Sequence, residues 1–213
     1  MTNAHYHRDG ATYFSRCGKE YKFVGVHPWA ADATHVERAV IEVRRAAVAD
    51  GSVGIGEIGL DRLRTKLVTS AQRTLFEAQL KIAADLHRPV VLHGAKCWGE
   101  VVKAVKPFAN EIPAFLFHGF SRSVGLLPEI VEVNGFLSVG KAVLNDHAVN
   151  YRRLVGSIPL HRLLVETDDG ADSVVERDAL LADIFAKASE LTGITEALID
   201  VNAAEFLHSF NIT

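Results

Sequence analysis

The chain has 213 residues, of which 48% are hydrophobic and 23% charged, with a formal net charge of −3. This composition excludes disordered, collagen-like and coiled-coil proteins, and it disfavours a domain that holds nucleic acid by bulk positive charge. The sequence has no apolar stretch long enough to span a membrane, no secretory signal at its start and only two cysteines, so we expect a reduced, cytoplasmic protein.

Short apolar runs bounded by Gly, Pro or polar residues predict strands that are covered on both faces. In chain order these runs span residues 3–7, 22–26, 52–56, 89–92, 114–117, 135–139 and 162–165. Segments with helical spacing of apolar residues lie between and after them, over 33–49, 70–86, 98–107, 124–133, 145–155, 178–191 and 195–209. A strand followed by a helix, repeated along the chain, predicts parallel βαβ units.

The fold class predicted from this alternation is α/β, and the architecture is a single TIM-type (β/α) barrel over residues 1–213. A doubly wound sheet is the alternative, but no Gly-x-Gly-x-x-Gly motif opens any helix. Residues 9–21 are too few for a strand and its crossover helix. We therefore predict that one βα unit near the N-terminus is abbreviated.

Residues of metal-ligating types stand at the ends of five predicted strands. They are His5, His7, Glu57, His93, His118 and Asp168. Side chains at the carboxyl ends of barrel strands converge on one mouth, and His5 and His7 point the same way because they are two residues apart on a strand. One such histidine is more often structural, but six ligands together suit two divalent ions, with one bridging carboxylate and an open position for water.

The motifs around these residues occur in a fixed order along the chain. They are His5-x-His7-x-Asp9, Gly25-Val-His27-Pro28, Gly56-Glu57-Ile-Gly59-Leu-Asp61, Pro89-Val-Val-Leu-His93, His118-Gly-Phe120-Ser121 and a run from Ile158 that ends in Glu166-Thr167-Asp168. Together they resemble the TatD family of metal-dependent deoxyribonucleases, which belongs to the amidohydrolase-like barrels. The resemblance runs from residue 3 to residue 168, and its ordered set of motifs is specific.

The resemblance implies two metal ions that share one carboxylate. One ion would be held by His5, His7, Glu57 and Asp168, and the other by Glu57, His93 and His118. Asp168 would also orient or deprotonate the attacking water, so Glu57 and Asp168 are the predicted catalytic residues.

Two further positions match the family motifs. His27 and Asp61 are predicted to orient ligands from outside the metal centre. For His27, a role as a helix-entry residue before Pro28 is equally compatible with the sequence.

Basic residues follow the same strand ends and predict a rim for an anionic substrate. The predicted substrate-binding residues are Arg62, Arg64, Lys96 and Arg122. Any one of them is equally well explained as an ordinary solvated loop residue. Trp29 and Trp98 also lie near strand ends, where each could stack on a base or pack over the rim of the barrel core.

The sequence departs from the family pattern in three places. Asn3 stands where the family usually has Asp, and the N-terminal strand–helix–strand is reduced to about one loop. Residues 169–177 are short and acidic, where the family carries Pro and a basic stretch. The last departure favours smaller substrates.

The resulting hypothesis is a divalent-metal-dependent hydrolase, specifically a TatD-like deoxyribonuclease of 3′–5′ exonuclease type acting on DNA or another phosphodiester. The alternatives are a small-molecule phosphoesterase or amidohydrolase with the same centre, and a catalytically silent barrel that acts as a scaffold. Imidazole and carboxylate ligands without thiolate suit Mg, Mn, Zn or Fe. No membrane partner is expected.

Overall fold

Eight strands form one sheet in the computed structural model, which describes residues 1–49, 51–64, 66–121, 124–169 and 173–208. The strands are β1 (Asn3–Arg8), β2 (Ala11–Arg16), β3 (Lys19–Val24), β4 (Gly54–Asp61), β5 (Val90–Ala95), β6 (Phe115–Phe117), β7 (Gly135–Val139) and β8 (Leu163–Val165). Their order in the sheet follows the chain. Strands β3 to β8 pair in parallel, whereas β2 is antiparallel to both of its neighbours.

The two edges of this sheet approach each other and nearly close a barrel. The Asp168 N–H donates to the His5 carbonyl at 3.1 Å, and the His7 N–H donates to the Asp169 carbonyl at 2.8 Å. The Asn3 side chain adds hydrogen bonds to the backbone N–H and the hydroxyl of Thr167. The segment that follows β8 is thereby joined to β1.

Helices pack around the parallel strands. Within the described ranges the α-helices are α1 (Val36–Ala49), α2 (Ser70–Leu86), α3 (Trp98–Val105), α4 (Leu127–Glu132), α5 (Val149–Val155), α6 (Val174–Thr192) and α7 (Glu196–His208). Helix α3 ends at Val105, two residues before its predicted end, and a 3-10 helix, Lys106–Phe108, follows it, because Pro107 lacks the N–H that would continue the α-helix. Helix α6 begins earlier than predicted because the Ser173 hydroxyl caps it by accepting from the Glu176 N–H.

No helix among the described residues is both long and apolar enough to cross a membrane.

The N-terminal meander, β1 to β3, replaces the abbreviated βα unit. Tight turns at Asp9-Gly10 and Cys17-Gly18 connect its strands, and all four of these residues have φ between 51° and 75°. Two-residue turns with positive φ match the twist of antiparallel strands. The predicted abbreviation is therefore confirmed, but the expectation of a loop was wrong, because residues 11–16 form a strand.

An aromatic cluster fixes α7 against both parts of the sheet. The Phe206 ring lies 5.4 Å from Phe14 in β2, 6.4 Å from Phe23 in β3 and 5.5 Å from Phe136 in β7, measured between ring centroids. All four rings are buried. Helix α7 therefore anchors the meander to the parallel strands without a crossover helix between β1 and β3.

Candidate metal centre

The six residues predicted as metal ligands lie together at one end of the barrel. They are His5 and His7 in β1, Glu57 in β4, His93 in β5, His118 directly after β6 and Asp168 shortly after β8. His5, Glu57 and His118 are buried. The side chains of His7 and Asp168 are 38% and 46% exposed, so the cluster opens toward solvent on their side.

One group of donor atoms is formed by β1, Glu57 and Asp168. The Nε2 atoms of His5 and His7 are 3.2 Å apart, and they lie 3.5 and 3.4 Å from Glu57 Oε2. Asp168 Oδ1 lies 3.5 Å from the first nitrogen and 3.7 Å from the second. Two imidazoles and two carboxylates thus converge on one point.

A second group surrounds the other oxygen of Glu57. Glu57 Oε1 lies 2.6 Å from His93 Nδ1 and 2.7 Å from His118 Nε2. It is also 3.4 Å from His27 Nε2. One carboxylate therefore faces two separate sets of nitrogen donors with its two oxygens.

His27 was predicted to orient ligands from outside the metal centre, but it lies within the second group of donor atoms. Its ligating atom and those of Glu57 and His93 all fall within 4.8 Å of one another. Its Nδ1 accepts from the Trp29 N–H at 3.2 Å, which leaves Nε2 directed at Glu57. The geometry makes His27 a candidate ligand as well as an orienting residue.

The donor set fits a divalent cation. Three sets of ligand atoms, each within 4.8 Å, occur among the described residues, and they contain only imidazole nitrogens and carboxylate oxygens. Such donors suit Zn, Mn, Fe or Mg. The shared members of these sets are His5 and Glu57, so the sets belong to one centre.

Electrostatics keep the central carboxylate ionised. Burial raises the pKa of Glu57, but the charge and hydrogen bonds of the surrounding histidines outweigh burial and hold that pKa well below its usual range. Burial likewise lowers the pKa of His118, yet Glu57 and Glu166 raise it well above its usual value. In the metal-free protein a proton between these groups therefore resides on the imidazole, and a bound cation would take its place.

Asp61 contacts the ring nitrogen of His93 that faces away from Glu57. It is buried, and its Oδ2 lies 3.1 Å from His93 Nε2 and accepts from Trp29 Nε1 at 2.6 Å. The Arg64 N–H donates to Oδ1 at 2.8 Å. A carboxylate on the far nitrogen of a ligating histidine fixes the ring and its tautomer, and this arrangement fits the orienting role predicted for Asp61.

Glu166 is a site residue to which the sequence assigned no role. It is fully buried, its Oε1 lies 3.5 Å from His118 Nδ1, and its Oε2 accepts a hydrogen bond from the Ser138 hydroxyl. The only sequence signal is its spacing of two residues from Asp168, which places both near one strand end. Glu166 stands behind His118 as Asp61 stands behind His93.

The predicted basic rim is distributed unevenly. Arg62 is paired with Glu100, which also holds Arg73, while Lys96 is exposed. The Arg64 guanidinium lies over the Trp29 ring, 5.1 Å from its centre. Arg122 lies outside the described residues.

The two tryptophans have opposite environments. Trp98 is 2% exposed and packs against Phe117 and Phe120, as the packing alternative expected. Trp29 is 57% exposed and lines a cleft of about 860 Å³. The same cleft is lined by His7, His27, Glu57, His93, His118 and Asp168.

A barrel that gathers imidazoles and carboxylates at the carboxyl ends of its strands has the architecture of metal-dependent hydrolases. Residues 3–208 match the TatD related DNase family. The chain belongs to this family, and the resemblance inferred from its motifs is confirmed.

Relatives with assigned names agree with this family. The chain is 34% identical over 145 residues to the 3′–5′ ssDNA/RNA exonuclease TatD of Musicola paradisiaca, covering 68% of this chain and 54% of the relative. It is 31% identical over 149 residues to a Bacillus subtilis protein named as an uncharacterized metal-dependent hydrolase, covering 70% and 58%. The chain thus spans little more than half the length of these relatives.

A solved structure of a TatD homologue from Escherichia coli supports the fold. It superposes with a TM-score of 0.73 at 24% identity, covering 91% of this chain and 77% of that one. The predicted barrel class is confirmed.

Proposed function

We propose that this protein is a divalent-metal-dependent phosphodiesterase that removes nucleotides from the 3′ ends of single-stranded DNA. The observation that carries the proposal is the position of Glu57, whose two oxygens face two separate groups of nitrogen donors. A carboxylate placed in this way would serve two cations with its two oxygens, and paired cations would supply charge stabilisation for an in-line displacement at phosphorus.

The residues that would hold the two ions come from both groups. His5, His7, Glu57 and Asp168 would bind one ion, and Glu57, His93, His118 and His27 the other. Mg, Mn, Zn and Fe are the candidates. When bound, such ions lower the pKa of water and neutralise charge on phosphoryl oxygens.

Asp168 is the residue placed to handle the proton of the attacking water. Burial raises the pKa of its carboxyl, but contact with His5 and the charge of His118 lower it below the usual value, so the group is ionised near neutral pH. Its half-exposed position at the mouth of the cleft lets it reach a solvent molecule. Glu57, being buried, holds charge instead of exchanging protons.

The chain is proposed to act as one barrel domain over residues 1–213. A cytoplasmic location is a further proposal, supported by the free thiols of Cys17 and Cys97, since reduced cysteines are usual in that compartment.

Hydrolysis of a small phosphodiester is the second candidate. Asp9 and Asp168 both line the cleft. Their carboxylates place negative charge at the mouth after β1 and β8, where a long polyanion would be repelled. A substrate with one or two phosphates avoids that repulsion.

The test uses 5′-labelled single- and double-stranded DNA and bis(p-nitrophenyl) phosphate, each with Mg²⁺ or Mn²⁺. Wild type is compared with Asp168→Asn and with Asp85→Asn, a matched change at an exposed carboxylate on α2. We expect metal-dependent shortening of single-stranded DNA that only Asp168→Asn abolishes. Cleavage of the small ester alone would establish the second candidate, and inactivity on all substrates would favour a scaffold.

A further inference from the structure

Trp29 is a large aromatic surface exposed beside the candidate metal centre. Its side chain is 57% exposed in the described structure, and it forms part of the wall that also carries His27 and His93. Tryptophan is normally well buried, as Trp98 is here. An indole exposed in a cleft can stack against a ligand that has a flat apolar face.

Two hydrogen bonds hold Trp29 in this position. The indole Nε1–H donates to buried Asp61 at 2.6 Å, and the backbone N–H of Trp29 donates to His27 Nδ1 at 3.2 Å. Trp29 also follows Pro28 in a short 3-10 helix, Pro28–Ala33. A rigid aromatic side chain loses little conformational entropy when a ligand stacks on it.

The exposed indole already has one planar cationic neighbour. The Arg64 guanidinium lies over the ring at 5.1 Å from its centre. A cation on an exposed ring contributes about 0.5–1 kcal/mol, whereas a base stacked on an aromatic side chain contributes about 1–3 kcal/mol. On these magnitudes, a stacked nucleobase would displace the guanidinium, which would then be placed to pair with a phosphate.

The position of the ring relative to the candidate ligands suits one nucleotide. The Trp29 ring centre lies 4.6 Å from that of His27 and 6.2 Å from that of His93. A phosphate near these histidines would bring the base attached to its sugar over the indole. Among the described residues that line the cleft, Asp9 and Asp168 follow β1 and β8 and offer no aromatic face to a base.

We propose that Trp29 and Arg64 form a nucleobase-stacking subsite that selects unpaired nucleotides at the metal centre. Stacking is tolerant of sequence, so the subsite distinguishes nucleotides from base-free phosphodiesters without reading a particular base. A base must leave its duplex partner to reach the indole, so single strands are preferred. The inference rests on the proposed function and names the substrate feature that its site recognises.

Intrinsic fluorescence tests the subsite without catalysis. The chain has two tryptophans, so Trp29→Phe leaves only buried Trp98 to report. In the metal-loaded wild type we expect saturable quenching by deoxythymidine monophosphate and none by deoxyribose 5-phosphate. Trp29→Phe should lose the nucleotide-dependent quenching. Equal quenching of the wild type by both ligands, or by neither, overturns the subsite.

Kinetics give the second readout. We compare kcat/KM for DNA that has a normal 3′-terminal base with kcat/KM for DNA that has a base-free 3′ terminus, and take the ratio of the two. Trp29→Ala should lower this ratio about 10-fold, as expected for loss of a stack near the lower end of the range. Trp29→Phe keeps an aromatic face but lacks the hydrogen bond to Asp61, so it should retain most of the ratio. Arg38→Gln, a change on the exposed face of α1, is the matched control.

The outcomes separate the subsite from the proposed function. DNA hydrolysis with an unchanged ratio in Trp29→Ala overturns the subsite and leaves the phosphodiesterase intact. Equal losses in Trp29→Phe and Trp29→Ala also overturn it, because the hydrogen bond to Asp61 then explains the effect. Nucleotide-specific quenching in a protein that hydrolyses no phosphodiester supports the subsite and refutes the proposed function.

Discussion

The N-terminal meander and the parallel strands β4 to β8 bring side chains to the same centre with different backbones. In the meander, one strand carries both His5 and His7, and tight turns lead directly to the next strands. In the parallel part, β4, β5, β6 and β8 each bring one candidate ligand, within the strand or in the residues that follow it, whereas β7 brings none. A helix after each strand returns the chain to the other side. The comparison teaches that the centre depends on strand ends and tolerates the loss of a crossover helix.

The outer faces of the two regions are covered differently. Helices cover the parallel strands with apolar side chains, as α2 does for β4. On the meander, Glu20 binds Tyr6 and both guanidinium nitrogens of Arg8, and Arg177 from α6 lies 4.4 Å from the Tyr6 ring centre. The cover of the meander is therefore polar and more sensitive to pH.

The largest effect is expected where the two regions meet. Glu57→Gln keeps the shape of the side chain but removes the charge that faces both donor groups. We expect metal-dependent hydrolysis to fall more than ~100-fold, beyond the loss typical of residues that only support a ligand. Metal stoichiometry by calorimetry should fall as well. Glu77→Gln, on the exposed face of α2, is the control, and full metal binding by Glu57→Gln would contradict the bridging role.

Glycine substitutions compare packing in the two regions. A Cβ at Gly59 in β4 would lie 2.0 Å from the His93 carbonyl oxygen, whereas one at Gly10 in the first turn meets nothing within 4 Å. Gly59→Ala should cost about 3 kcal/mol or more, and Gly10→Ala only about 1 kcal/mol, for its φ of +73°. Urea unfolding measures both, and equal losses would refute the difference in packing.

A smaller effect is expected behind His118. Glu166→Gln keeps the contact with Ser138 but weakens the acceptor that faces the far nitrogen of the imidazole. Metal affinity in the second donor group should fall about 10-fold, since outer carboxylates typically contribute 10–100-fold. Calorimetric titration should show one weakened site and one site unchanged at His5 and His7. A uniform loss at both sites would show a general structural defect.

The smallest effect concerns the polar cover of the meander. Hydrogen bonding to Arg8 lowers the pKa of Glu20 below its usual value of 4.5. The folded pKa lies below the unfolded one, so this contribution to stability is present above pH 4.5 and is lost as the pH falls through the folded pKa. For this partly exposed pair it is about 0.5 kcal/mol.

Glu20→Gln should therefore be less stable than wild type at pH 7, and the difference should shrink in acid. Urea unfolding of both proteins at pH 7 and in acid measures this difference in the free energy of unfolding. Glu42→Gln, whose Arg38 partner is highly exposed, should show a smaller difference. A Glu20→Gln deficit that persists in acid would show that the charge of Glu20 is not its cause.

The parallel strands and their helices were predictable because their patterns are local. The apolar runs predicted the bounds of β6 and β7 to within one residue. Strand β5 continues past its predicted end at residue 92, through His93 to Ala95, because polar and small residues also take part in the barrel sheet. Strand β2 was missed because barrel units were expected to contain helices. Yet its start after Asp9-Gly10 carries a hairpin signal.

The candidate ligands were predictable for a related reason, since the end of a buried strand is visible in the sequence. The contacts between their neighbours were not. Arg64 above Trp29, Arg62 with Glu100 and Glu166 behind His118 join distant segments through side chains, and no local pattern encodes such pairs.

The seam between β1 and the segment after β8 joins the beginning of the barrel sequence to its end. Joining such distant segments carries a high entropic cost of loop closure. His5 and His7 lie on one side of this seam and Asp168 on the other, so an ion bound by all three would hold the two segments together and stabilise the closed barrel. At 100 times its dissociation constant a ligand adds about 2.7 kcal/mol to folding stability. The lifetime of the closed barrel in the cell would then follow the supply of metal.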